Sequence, residues 1–327
     1  TFFGGFAAVC WTDFFQGLLM MAALMLVPIV VYFGHSELLD PTALETVYEY
    51  TDAATDAVTQ CAFGGGIFNA SWQDIVSGLG WGLGYFGMPH ILVRFMSIEK
   101  PSMIKKSSIV AIIWVVISLF SAVMIAYFGR MIMGEELLTH GNQKLVFIAM
   151  SRKFFPAGIC GLLLAAIIAA SISTADSQLL TAAYSVSQDL MQGFMGMKLS
   201  DKAAMRVARL TVVAIAVVGM FLAWDPNSSV FRVVSFAWAG FGATFGPAML
   251  CALFWRRSNR QGIMAGLVVG GVMIFVWKFL VAPMGGMFNI YELLPAFLCA
   301  LCAIVVVSLL TPAPEKEITD MFDSYNT

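Results

Sequence analysis

Charge is what this sequence has least of. Only 12% of its 327 residues are Asp, Glu, Lys or Arg, and 60% are hydrophobic. A water-soluble domain carries about a quarter charged residues, so a soluble fold is excluded for this chain. The net charge is −2, which gives no support for nucleic-acid binding. Histidine is scarce: His35, His90 and His140 are the whole supply and lie far apart. No GxSxG, phosphate-binding loop, HExxH or metal-spaced Cys/His cluster occurs, so no enzyme chemistry is indicated. The six cysteines are scattered. Cys299 and Cys302 form a CxxC inside an apolar stretch without a second pair, which reads as helix packing rather than metal or redox chemistry. An initiator Met and a signal peptide are also missing. Thr1 opens directly onto "FFGGFAAVCWTD", and the expectation is that an N-terminal portion lies upstream.

What the sequence does have is long apolar runs. A spanning helix needs roughly 20 mainly apolar residues, and eight stretches qualify: 5–33, 71–93, 107–133, 156–188, 207–224, 230–255, 262–283 and 292–311. The expected fold class is an all-α polytopic membrane protein with about eight transmembrane helices. Three short connections are basic: Arg94 to Lys106, Lys198 to Arg209, and Arg256 to Arg260. With eight spans they fall on one side, which the excess of Lys and Arg marks as cytoplasmic. The connection 34–70 carries Glu37, Asp40, Glu45, Glu49, Asp52 and Asp56 without a Lys or Arg, and falls outside. The tail "TPAPEKEITDMFDSYNT" then lies in the cytoplasm and reads as a short polar end.

Four places put polar or helix-breaking groups at membrane depth. The first is "GLGWGLGYFGMPH", residues 78–90. Its five glycines weaken a helix and Pro89 removes a backbone donor. A broken helix in lipid is tolerated only beside protein or a water-filled cavity, where transporters use the freed backbone to bind cargo. The competing reading is close packing through a glycine face, which alternate glycines fit poorly because packing favours spacings of three and four. The second is "AASISTADSQLL". Ala170, Ser173, Thr174 and Ser177 share one helical face. Such a face offers hydroxyls and a carbonyl to a hard cation such as sodium, or hydrogen bonds to a neighbouring helix. The third is Asp176, a functional candidate if it lies at membrane depth and an ordinary solvated residue if it lies at the helix end. The fourth is Asp13, with the same two readings.

Together these segments resemble the sodium:solute symporter family, and most closely its sodium/proline branch. The resemblance rests on "GGFAAVCWTDFFQ", "WGLGYFGMPHILVRFM", "ISTADSQLL", "SFAWAGFGATFGP" and "YELLPAF", and runs the whole chain in order. It implies a partial inverted-repeat fold of the LeuT type within one transporter domain, 1–327. In that fold 5–33 closes the first repeat, 71–255 forms the second, and 262–311 gives two accessory helices. It implies that the first broken helix, with half of each site, lies outside this sequence, so the chain alone is not expected to transport. It implies substrate-binding roles for Trp81, Tyr85 and Pro89, and a sodium site from the Ala170 carbonyl and the Ser173 and Thr174 hydroxyls. Asp13 matches an aspartate of the sodium route. With Ser173, Asp176 and Ser177 it is a candidate for a second sodium site, although Asp176 stands where some relatives carry a hydroxyl.

The implied function is sodium-coupled uptake of L-proline by alternating access across the cytoplasmic (inner) membrane. Sodium, L-proline and the lipid bilayer are the implied partners, with no enzymatic activity and no nucleic acid. Two other readings stay open. One is symport of a different small solute, such as another amino acid, a betaine, pantothenate, a sugar or sialate. The other is a transporter-like sensor, which the short stretch after residue 311 disfavours.

Overall fold

A computed structural model describes residues 5–51, 58–61, 70–138, 142–224 and 230–326. Among these, seven helices are long and apolar enough to cross a membrane: Ala7–Gly34, Met103–Leu138, Ala157–Phe194, Asp201–Phe221, Val233–Phe254, Arg260–Met284 and Leu293–Leu310. The chain is an all-α polytopic membrane protein. Seven of the eight expected spans appear as helices, the one at Met103–Leu138 kinked at Met133 (φ −132°, ψ 15°). The eighth, 71–93, does not, because it is interrupted by a 3₁₀ segment and an extended residue. The chain forms two compact units, residues 1–69 with 98–227, and residues 70–97 with 228–327.

The first unit contains α1 (Gly5–Gly34), α4 (Met103–Leu138), α5 (Val146–Phe154), α6 (Ala157–Tyr184) and α7 (Asp201–Leu222). Its core is small. Val27 and Val31 of α1 meet Ile125 and Phe128 of α4, Met150 of α5, and Leu163 and Ala166 of α6. Many apolar side chains point outward instead, such as Leu119, Phe120 and Val123. Lipid is as apolar as leucine, so outward leucines carry no solvation cost. α6 runs into a π-helical stretch, Ser185–Phe194, and Gly196, at φ 66°, follows it. The acidic connection holds one small hairpin, β1 (Tyr48–Thr51) against β2 (Val58–Cys61), antiparallel with Tyr48 opposite Cys61. Arg130 of α4 ties it down by donating to the Thr46 carbonyl and lying 4.8 Å from the Tyr48 ring centre.

The second unit contains α2 (Trp72–Gly80), the 3₁₀ segment Trp81–Gly87, α3 (Pro89–Met96), α8 (Val230–Phe254), α9 (Arg260–Val276), α10 (Leu293–Leu310) and α11 (Lys316–Asn326). Ala239 and Ala243 of α8, Ile274 of α9, and Leu293, Ala296 and Phe297 of α10 form its core. α9 presents Gly262, Gly266 and Gly270 as one row at a spacing of four. A Cβ at Gly262 would lie 2.8 Å from the Ile304 carbonyl oxygen, and one at Gly266 would lie 3.2 Å from that of Ala300. At Gly270 it would stand 3.1 Å from Thr244 Cα. Backbone approaches this close need glycine.

The tail is helical rather than a plain polar end. Arg256, just after α8, grips Asp323 of α11 through two charge-assisted bonds, Nε to Oδ1 at 2.8 Å and Nη2 to Oδ2 at 2.7 Å. Arg257 donates to the Thr311 carbonyl, and Asn259 to the Pro312 carbonyl. The Arg256 hydrogen bonds hold the Asp323 carboxyl below its ordinary range. A depressed folded-state value means the latch contributes fully above the ordinary carboxylate range and is lost as pH falls through the depressed value. Limited proteolysis of the tail is therefore expected to stay flat from pH 8 to about 4 and to rise below that. Asp323→Ala is expected to make the tail cleavable at pH 7. Equal cleavage of variant and parent at pH 7 would remove the latch.

Candidate functional site

In the first unit the hydroxyl-bearing face of α6 divides in two. Ser173 Oγ donates to the Ala170 carbonyl at 3.1 Å, and Thr174 Oγ1 donates to the same oxygen at 3.2 Å. Both hydroxyls thus turn back onto their own helix rather than bridging to another, the back-bonding that Ser and Thr adopt in helices. Three oxygens are drawn together, and the hydroxyl lone pairs face away from the carbonyl. Thr174 is exposed and Ser173 half-buried. Such neutral oxygens suit a hard monovalent cation that must also leave.

One turn on, Ser177 is buried and reaches across to α1. Its Oγ lies 3.2 Å from Asp13 Oδ2 and 3.0 Å from the Ser173 carbonyl. A serine has one proton and two acceptors compete for it here. The cluster brings a carboxyl, a carbonyl and a hydroxyl together, and Asp13 is half-buried. Ser177 thus faces both its own helix and α1. Asp176 is half-buried on the same helix, about 100° round the axis from Ser177.

In the second unit the glycine-rich stretch is interrupted, though later than Gly80. The Trp81 amide still bonds to Ser77 and Gly78 carbonyls, so α2 passes smoothly into the 3₁₀ segment. The break is at Met88, which is extended at φ −81° and ψ 115°. Pro89 starts α3 at a position that tolerates its missing donor. None of the five glycines has positive φ. Two of them serve close approach instead. In a 3₁₀ helix residues three apart eclipse, so Trp81, Gly84 and Gly87 share one face. Gly84 lies under the Trp238 indole, with its Cα close to Gly242. Gly87 lies against the Phe241 carbonyl and Gly242 Cα. Breakage and glycine packing, set against each other in the sequence, occur together.

Trp81 is half-buried in an aromatic stack. The rings of Phe231, Trp238 and Tyr291 lie 5.5–5.6 Å from it and within 17° of parallel. Trp238 Nε1 donates to the Trp81 carbonyl at 3.1 Å, and its ring takes Tyr85 edge-on at 4.8 Å. Tyr85 is 52% exposed, which makes it the more open of the two aromatics. Trp238 and Tyr291 have no role in the sequence reading. Their signal was weak: a lone tryptophan among alanines and glycines, and a tyrosine in a connection. The two groups of candidates lie in different units, the oxygens of α1 and α6 in the first and the aromatics in the second.

The sequence pattern of the sodium:solute symporter family matches residues 1–270. The chain belongs to the sodium:solute symporter family. It is 39% identical over 326 residues to the high-affinity proline transporter PutP of Bacillus subtilis, covering 99% of this chain and 66% of that protein. To the sodium/proline symporter of Haemophilus influenzae it is 38% identical over 327 residues, covering 99% and 64%. The osmoregulated proline transporter OpuE of Bacillus subtilis is 37% identical over 322 residues, with 98% and 63% covered. The chain thus spans just under two thirds of the length of these members of the sodium:solute symporter family.

Proposed function

We propose that this chain forms the C-terminal part of a sodium-coupled L-proline symporter of the cytoplasmic membrane, a carrier and not an enzyme. The observation that carries the solute reading is an interrupted helix bearing Trp81 and Tyr85 in a chain 37–39% identical to named proline transporters. An aromatic face packs well on a pyrrolidine ring, and Pro89 sets the start of the helix beyond the break. The oxygens of Ala170, Ser173 and Thr174 form one part of the sodium site. Asp13, Ser177 and Asp176 form an ion route or second site. The fold is an inverted repeat of the LeuT type, with 5–33 closing the first repeat, 71–255 forming the second and 262–311 accessory. The basic connections and the C-terminus are cytoplasmic.

Sodium enters from outside and orders the interrupted helix, and proline then binds in the outward-facing state. Occupied, the carrier turns inward. The coupling is a free energy between two sites and is reciprocal: sodium tightens proline and proline tightens sodium by the same factor. The membrane potential adds about 2.3 kcal/mol per charge per 100 mV. The full-length gene product in liposomes is expected to accumulate labelled proline only under an inward sodium gradient. Trp81→Ala is expected to raise the proline KM about tenfold or more while expression stays normal, the scale of losing roughly 1.4 kcal/mol of aromatic contact. Gradient-independent uptake, or preference for another solute in a competition panel, would overturn this reading.

A further inference from the structure

Tyr291 stands outside every helix of the second unit, yet it touches three of the pieces around Trp81. Its backbone N–H donates to Ser77 Oγ of α2 at 3.0 Å, its hydroxyl donates to the Ser235 carbonyl of α8 at 2.6 Å, and its ring lies on Trp81 at 5.6 Å and 17°. The next residue, Glu292, has a side chain only 6% exposed and takes Lys278 Nζ at 3.0 Å. Lys278 sits in a π-helical turn, Trp277–Val281, at the end of α9, and such turns recur at functional sites. Only the Glu292 end is buried, since the Lys278 side chain is 38% exposed, and the best-attested use of a desolvated charge held by a partner is to fix one arrangement among several. Here it fixes Glu292, and with it the backbone next to Tyr291. Burial, and then the Glu292 charge, push the Tyr291 hydroxyl well above its ordinary range, so it stays a donor to Ser235 at physiological pH.

We propose that Tyr291, held by the Glu292–Lys278 pair, is a positioning residue that fixes Trp81 and the 3₁₀ segment and thereby sets the affinity for the solute. The connection before α10 is then part of the solute site, although it belongs to the accessory helices. This inference rests on the proposed role of Trp81 in binding proline.

The test uses the full-length gene product with two readouts. The first is proline KM and maximal rate under a sodium gradient. Tyr291→Leu is expected to raise KM about tenfold and Glu292→Gln about fivefold, with maximal rate and expression within twofold of the parent. Tyr291→Phe, which keeps the ring, is expected to stay within threefold in KM. The second readout needs no solute. Gly82 lies beside Trp81 with open space around it. A cysteine there, in a chain cleared of its other cysteines, reports the order of the segment through its rate of maleimide labelling. Glu292→Gln and Tyr291→Leu are each expected to speed labelling severalfold. If Trp81→Ala impairs proline uptake while both variants keep parental KM and labelling, the positioning role is overturned and the proline reading survives. If the parent carries no proline, the proline reading falls, and labelling alone decides: faster rates support the positioning of the segment, and unchanged rates overturn it.

Discussion

Removing both hydroxyls from the α6 cluster, as Ser173→Ala with Thr174→Ala, is expected to raise the sodium concentration for half-maximal uptake about 100-fold. Each hydroxyl that contacts a charged species contributes roughly 1.5 kcal/mol, and two together come to about 3 kcal/mol, or about two decades. The single Thr174→Ala change is expected to cost about tenfold on the same scale. Folding has little to lose. Both hydroxyls are bonded to the Ala170 carbonyl of their own helix, and alanine is the stronger helix former. At saturating sodium the proline KM is expected to return close to the parental value, which separates an ion-site defect from general damage. Sodium half-saturation within threefold of the parent in the double variant would take sodium away from these residues.

Gly87→Ala is expected to abolish most uptake and to lower thermal stability by several degrees. The new methyl group would fall on the Phe241 carbonyl and within 2.9 Å of Gly242 Cα. Both obstacles are α8 backbone, which cannot rotate aside as a side chain does. The 3₁₀ segment would have to move off α8, straining the Trp238–Trp81 hydrogen bond as well. Overpacking of this kind costs about 1–3 kcal/mol. Gly82→Ala, five residues earlier, is the matched control. Nothing lies within 4 Å of its added Cβ and its φ is not positive. It is expected to be neutral or stabilising by about 0.4–1 kcal/mol, through the less flexible unfolded chain. If the two variants behave alike, the close approach at Gly87 does not limit the protein. Purified variants compared by thermal unfolding in detergent and by uptake in liposomes give both readouts.

The spans were legible because each is a long run of apolar residues, and lipid leaves such a run little choice but helix. The interruption at 78–90 was legible for the same reason in reverse: five glycines and a proline stand out where a span should be. Its form was not. Alternate glycines argued against packing on the assumption of an α-helix, whereas in a 3₁₀ helix Gly84 and Gly87, three apart, eclipse and pack. The partners of Trp81 were hidden because Phe231, Trp238 and Tyr291 come from positions 150 to 210 residues away, and no local pattern encodes which rings will meet. On α6 the pattern of hydroxyls placed Ser173, Thr174 and Ser177 on one face. Only the structure shows that all three bond carbonyls of their own helix and that Ser177 alone of the three also reaches Asp13. The helical tail was overlooked because its charges suggested solvent, and the Arg256–Asp323 grip joins residues far apart in sequence.

The glycine row of α9 bears on how this part of the molecule can move. Gly262, Gly266 and Gly270 mesh with the backbone at Ile304, Ala300 and Ala243–Thr244 like teeth in a rack. A slide of one or two ångströms along the helix would drive a side chain into the notch a glycine leaves, and the row comes back into register only after a shift of four residues, about 6 Å. Gradual shear is thereby closed to α8, α9 and α10. These three helices are therefore expected to move together, with the interrupted helix, seated on α8 through Gly84 and Gly87, carried along.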